Sequence, residues 1–191
     1  MITLIVVDCQ NDFITGTMSV KGAKNSVDEI KNFIKKHCKE IEKIIFAIEW
    51  HPYNHSSFKK YGGEFQHHCI QYTPGACIEP KLLKYVQSLN INYEVSTRGE
   101  IEESTELGAF NDIEYVQDNL FGERYYFDSV ATASANTEFI ICGVSNSVLS
   151  TINNMMKEEI IPKVFFPGII SNDGGKTFSE FVKLNKLEKT V

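Results

Sequence analysis

A chain of 191 residues with 42% hydrophobic and 23% charged content has the size and make-up of one globular domain, 1–191, long enough to bury most of its apolar surface. Its formal net charge of -6 leaves no basic face for phosphate binding, which excludes nucleic acid as the main partner and points to a small-molecule partner. No apolar run approaches the roughly 18 residues of a membrane span, and the start MITLIVVDCQ lacks a basic leader region. The cysteines at 9, 38, 69, 77 and 142 are too scattered for a zinc ribbon or a disulfide scaffold, so the chain reads as cytoplasmic, off the membrane and with reduced thiols.

Along the chain, Ile2 to Val7 is a β-branched run that ends at Asp8, the pattern of a strand buried on both faces of a parallel sheet. Residues 23–37 place Val27, Ile30, Phe33 and Ile34 at helical spacing among Lys and Glu, which predicts an amphipathic helix lying on that sheet. Residues 44–48 predict a second buried strand, 80–89 a helix, and 92–95 a short strand. The stretch from Gly99 to Asn119 is acidic and the least regular. Residues 139–142 read as a strand stopped by Gly143, 147–159 as a helix behind a Ser or Asn cap, and 163–166 as a last strand. A Gly/Asn/Asp-rich turn and a Lys-rich helix follow. Strands alternating with helices predict an α/β, Rossmann-like fold: three layers, with a mostly parallel open sheet and helices on both faces. Ligands bind such sheets at the carboxyl ends of the strands, which here are Asp8, Glu49-Trp50-His51, Arg98 and the residues from Gly143 onward.

Those ends carry reactive side chains. Asp8 stands among amide and acid groups in Val7-Asp8-Cys9-Gln10-Asn11-Asp12-Phe13; taken alone it would be an ordinary turn residue. Glu49 and His51 are two apart, hence on one side of a strand, and His55, His67 and His68 follow in the next loop. Carboxylate and imidazole donors of this kind suit a divalent zinc, iron or manganese ion, although loop histidines are often just surface residues.

Four segments, VDCQNDF, EWHPYNHSSF, HHCIQYTPGA and ICGVSNSVLST, occur in order over nearly the whole chain, and together they resemble the nicotinamidase/isochorismatase-like family of cysteine hydrolases. The resemblance implies an isochorismatase-like fold, a base at Asp8, and metal ligands at Glu49, His51 and His68 for zinc or for iron or manganese, with no organic cofactor. It implies a cis peptide at Val144-Ser145, an oxyanion hole from the N–H groups of Ser145 and Leu149, and a homo-oligomer. Phe13, Trp50 and Tyr72 become candidate substrate-binding walls for a flat ring; each would otherwise be ordinary packing.

Two positions depart from the family pattern. The family lysine falls on Arg98, before Gly99, and the family nucleophile, six residues after Gly143, falls on Leu149. An isobutyl group has no lone pair with which to attack a carbonyl, and a guanidinium holds an anion without exchanging a proton. Among possible substitutes, Cys142 reads as a strand residue, Cys9 as pointing away from Asp8, and Ser145, Ser147 and Ser150 as helix-start residues. The leading expectation is a nicotinamidase-like protein that acts on or binds a small planar amide or acid without thiol chemistry. The alternatives are a hydrolase using water activated at a metal on Glu49, His51 and His68, and a non-catalytic partner subunit.

Overall fold

Every residue of Ile2–Val7 is buried, because the strand they form, β1, lies at the centre of the sheet with helices over both faces. The computed structural model describes residues 1–104, 107–110 and 137–190. The further strands are β2 (Ile41–Glu49), β3 (Asn92–Arg98), β4 (Glu138–Val144), β5 (Lys163–Ile170) and β6 (Lys189–Thr190). They form one sheet in the order β3-β2-β1-β4-β5-β6, each adjacent pair parallel. The helices are α1 (Asn11–Ile14), α2 (Ala23–His37), α3 (Pro80–Ser88), α4 (Ser145–Lys157) and α5 (Lys176–Leu184).

Alternate residues of β1 enter separate cores. Leu4 and Val6 pack with Ile30, Phe33 and Ile34 of α2 and with Leu82 and Val86 of α3. Ile5 and Val7 pack with Val148, Ile152 and Met155 of α4 and with Phe178 and Val182 of α5. The result is a three-layer α/β fold in which the helices before the reversal of strand order cover one face and those after it the other. That reversal lies between β1 and β4, the place where doubly wound sheets open a crevice at their carboxyl edge.

Several elements run beyond their predicted ends. Strand β2 begins at Ile41 and keeps Glu49 in the ladder, and β3 continues to Arg98, because Glu49 and Arg98 are register partners. Helix α4 starts at Ser145, two residues earlier than the cap pattern suggested, directly after Val144 in extended geometry at φ -66 and ψ 122. The described residues contain no cis peptide bond, so the Val144-Ser145 linkage is trans, with the strand passing straight into the helix. Strand β5 extends through Pro167-Gly168; proline has no N–H for the ladder, and the pairing with β4 shifts register there, between Ile141 and Gly143. In the acidic segment from Gly99 to Asn119, residues 105–106 and 111–119 lie outside the described residues. Among the described residues no helix is long and apolar enough to cross a membrane.

Candidate active site

The register delivers the charged residues to one edge. Val7 pairs with Ala47 on one side and with Gly143 on the other, so Asp8 leaves the sheet beside the end of β2 and the start of α4. The Asp8 backbone turns into the left-handed region at φ 55, while its N–H still donates to Ala47 O at 2.8 Å. Gly143 sits at φ 121, and a Cβ there would stand 1.9 Å from Val7 O, so only glycine lets these two backbones approach this closely.

Arg98 Nη2 lies 2.5 Å from Asp8 Oδ2 and 3.2 Å from Glu49 Oε1. Asp8 is fully buried and Arg98 is 5% exposed, so this is an interior charge line. Burial raises Asp8's pKa above its ordinary value; Arg98 opposes the rise, Glu49 adds to it, and the nearby Ser147 hydroxyl also opposes it. Burial works against the Arg98 cation, but the two carboxylates more than offset it and hold the guanidinium protonated. Asp8 Oδ1 and Arg98 Nε and Nη1 are buried without a hydrogen-bond partner among the described residues. Orphaned polar atoms of this kind mark a place for a polar ligand or water.

Glu49 continues the line on its other side. Its Oε2 lies 2.9 Å from His68 Nε2 and 3.3 Å from His51 Nε2. His51 Nδ1 is 3.0 Å from Gly99 O and His68 Nδ1 is 2.7 Å from Gln66 O, so each ring donates from Nδ1 to a carbonyl and turns Nε2 toward Glu49. Gly99, at φ 68, makes room for this, since a Cβ would meet His51 Cε1 at 2.4 Å. Burial raises the Glu49 pKa, but the contacts with His51 and His68 and the charge of Arg98 outweigh it and hold the carboxyl well below its ordinary value. Burial disfavours a charged His68, yet the Glu49 contact raises its pKa. The donor atoms of Glu49, His51 and His68 all lie within 4.8 Å of one another. One carboxylate and two imidazoles with fixed tautomers fit a divalent ion of the zinc or iron class. His55 stacks on His51 at 4.1 Å, and burial lowers its pKa to about 4.

Gln10 ties these elements together, a role that the sequence did not single out. Its Nε2 donates to Glu49 O at 2.7 Å and to Ala76 O at 2.9 Å, and its Oε1 accepts from Glu49 N at 2.9 Å. Asp12 fixes the loop from 67 to 72 by accepting from Cys69 N at 2.8 Å. Of the aromatic candidates, Phe13 contacts a site histidine. Phe13 is buried 5.7 Å edge-on from His68, and Trp50 packs against the same cluster while meeting Tyr72, 89% exposed, at 5.4 Å.

The candidates on α4 separate. Leu149 lines a cavity of about 180 Å³ with Val20, Val144, Ile170 and Phe178, and neither Asp8 nor Arg98 belongs to its lining. As the fifth residue of α4, Leu149 has its N–H inside the helical ladder, whereas Ser145, Asn146 and Ser147 form the first turn, whose N–H groups have no intrahelical acceptor. Cys9 and Cys142 belong to the core under α2, and burial raises both thiol pKa values. Cys69 is the sulfur that sequence reasoning passed over: it is fully buried in the field of Glu49, Asp8 and Arg98. Burial and the carboxylates raise its pKa far beyond the reactive range, and the opposing pull of Arg98 is not enough.

With this geometry in place, the comparisons are specific. A Saccharomyces cerevisiae nicotinamidase is 24% identical over 170 residues, which is 74% of this chain and 78% of that protein. The yeast nicotinamidase structure bound to the inhibitor nicotinaldehyde superposes with a TM-score of 0.80 at 22% identity, covering 100% of this chain and 99% of the other. By sequence and by fold, the chain is similar to nicotinamidases. The nicotinamidase-like fold extends to a Pyrococcus horikoshii pyrazinamidase in complex with zinc, with a TM-score of 0.74, 21% identity, and coverage of 99% of this chain and 98% of that one. No protein-family model matches the sequence.

Proposed function

We propose that this protein acts on or binds a small planar amide or acid at the carboxyl edge of β1, and that it does so without a thiol nucleophile. The observation that carries the reading is the buried line Asp8–Arg98–Glu49, ending in two histidines, in a protein whose Leu149 lines a separate cavity instead. Asp8 Oδ1 accepts a donor such as an amide N–H, and Arg98 Nε and Nη1 donate to a carbonyl or carboxylate oxygen. Phe13 and Trp50 give a flat ring apolar contact beside His68.

Glu49, His51 and His68 would hold a divalent zinc, iron or manganese ion, for which the chemistry of the donors is suited. Such an ion would act there as a Lewis acid toward a ligand atom. The chain's own part is to keep the three donors convergent: Gly99 O and Gln66 O orient the imidazoles, and Arg98 and Gln10 hold Glu49. Two carboxylates against one guanidinium leave a surplus negative charge, which a cation would balance. We expect a homo-oligomer, to be checked by light scattering of the purified chain.

The test is calorimetric titration with nicotinamide, pyrazinamide and nicotinate, together with an ammonia-release assay before and after thiol alkylation. Binding of at least one of them, with any turnover unaffected by alkylation, supports the proposal. Robust turnover abolished by alkylation would overturn it.

A further inference from the structure

We infer that Ser147 supplies an oxygen nucleophile to this site, with Asp8 as its base, making the chain a serine-type acyl-transfer enzyme for amides or esters of planar aromatic acids. The inference rests on the proposed ligand class and concerns which atom attacks.

Three features of the fold support it. First, α4 begins at Ser145 on a trans linkage, so Ser147 is in the first helical turn and is 8% exposed, while Leu149 is a half-turn further along the helix. Second, Ser147 follows β4 at the point where Gly143 lies in register with Val7, which brings the first turn of α4 to the Asp8 side of the crevice. The Ser147 hydroxyl is among the groups that oppose the rise in Asp8's pKa, and Asp8 Oδ1 is buried with no hydrogen-bond partner among the described residues. Third, Val144 precedes the helix without a side-chain cap, so the N–H groups of Ser145, Asn146 and Ser147 have no intrahelical acceptor and can receive the negative charge of a tetrahedral intermediate.

The steps balance. Asp8 takes the proton of Ser147 as Oγ bonds to the acyl carbon; the C–N or C–O bond of the leaving group then breaks, and Asp8 passes the proton to the departing amine or alkoxide. Water, deprotonated by Asp8, attacks the Ser147 ester, releases the acid and returns the proton to Oγ. Burial, which raises Asp8's pKa, makes it a stronger base for this work than an exposed aspartate.

The experiment uses the full chain with 4-nitrophenyl pyridine-3-carboxylate and reads the burst of nitrophenolate and the mass of the acylated protein. The expected result is a burst with one pyridinecarbonyl group mapping to Ser147. Ser147→Ala should lower the burst rate by about 1000-fold or more, while still binding nicotinamide. Ser150→Ala should behave as the unmodified chain, and Ser147→Cys should become sensitive to iodoacetamide. An adduct on Cys69 or any other residue, or a burst that survives in Ser147→Ala, overturns the inference. Because the adduct is mapped on the unmodified chain, a Ser147→Ala variant that fails to fold does not blunt the test. Nicotinamide binding with no adduct sinks only the serine assignment, whereas absence of both sinks the ligand class as well.

Discussion

Arg98 holds Asp8 through a single nitrogen, Nη2, 2.5 Å from Oδ2, and the same nitrogen reaches Glu49 Oε1 at 3.2 Å. Removing the guanidinium would leave two buried carboxylates facing each other without compensation. Arg98→Ala is therefore expected to cost about 3–5 kcal/mol in urea unfolding, with Arg98→Lys intermediate because it keeps the charge but not the reach of the planar group. A loss under about 1 kcal/mol would mean that the two acids are protonated or solvated.

Zinc should stabilise the chain after chelator treatment, by about 2.7 kcal/mol at a free ion concentration of ~100 Kd. His68→Ala should remove the effect. Gly99→Ala should weaken it, since its Cβ would fall 2.4 Å from His51 Cε1 and turn the imidazole away from Glu49. Isothermal titration with zinc on all three proteins checks this.

Thiol reactivity should follow burial. Cys77 is exposed and should be carbamidomethylated first in the native state, Cys38 more slowly, and Cys9, Cys69 and Cys142 only on unfolding. Peptide mass mapping over time decides the order. Leu149→Cys should add a modifiable thiol in the cavity that Leu149 lines without introducing alkylation-sensitive amide turnover; such turnover would show that residue 149 does reach Asp8.

Asp173 shapes the turn from β5 into α5. It accepts from Gly175 N at 2.8 Å, from Thr177 N at 2.9 Å and from the Ser171 hydroxyl, and these bonds lower its pKa below the ordinary 3.8. A depressed folded-state pKa means stability that is present above pH 3.8 and lost as pH falls through the lower folded value. The contribution is small at an exposed site. Melting curves across acid pH should lose part of their slope in Asp173→Asn.

The legible parts of the fold were those with a strong physical signature. The largely β-branched run of β1 and the helical spacing of Val27, Ile30 and Phe33 in α2 follow from burial alone. Strand β6 is two residues long and exists by pairing with β5, so it has no local pattern to find; the start of β5 was legible at 163–166, but its continuation across Pro167 rests on a register shift that accommodates the missing N–H. At the site, Asp8, Glu49, His51, His68 and Arg98 converge because each stands at or just beyond the end of a strand or in the loop that follows β2. Counting from Gly143 placed Leu149 on α4, but where that helix begins was not legible, because a cap pattern places a start only to within a residue or two. Gln10 and Cys69 were hidden for another reason: their neighbours are backbone groups and charges distant in sequence, which no spacing rule reveals.

The contact between Gly143 and the carbonyl of Val7 acts as a gauge for the crevice. Any larger residue would wedge β1 from β4 and widen the mouth, so the distance from the first-strand acid to the start of α4 is fixed by main chain alone. New reactivity at this edge therefore comes from exchanging side chains across a gap of constant width, and the same frame can carry a thiol, a hydroxyl or neither without being rebuilt.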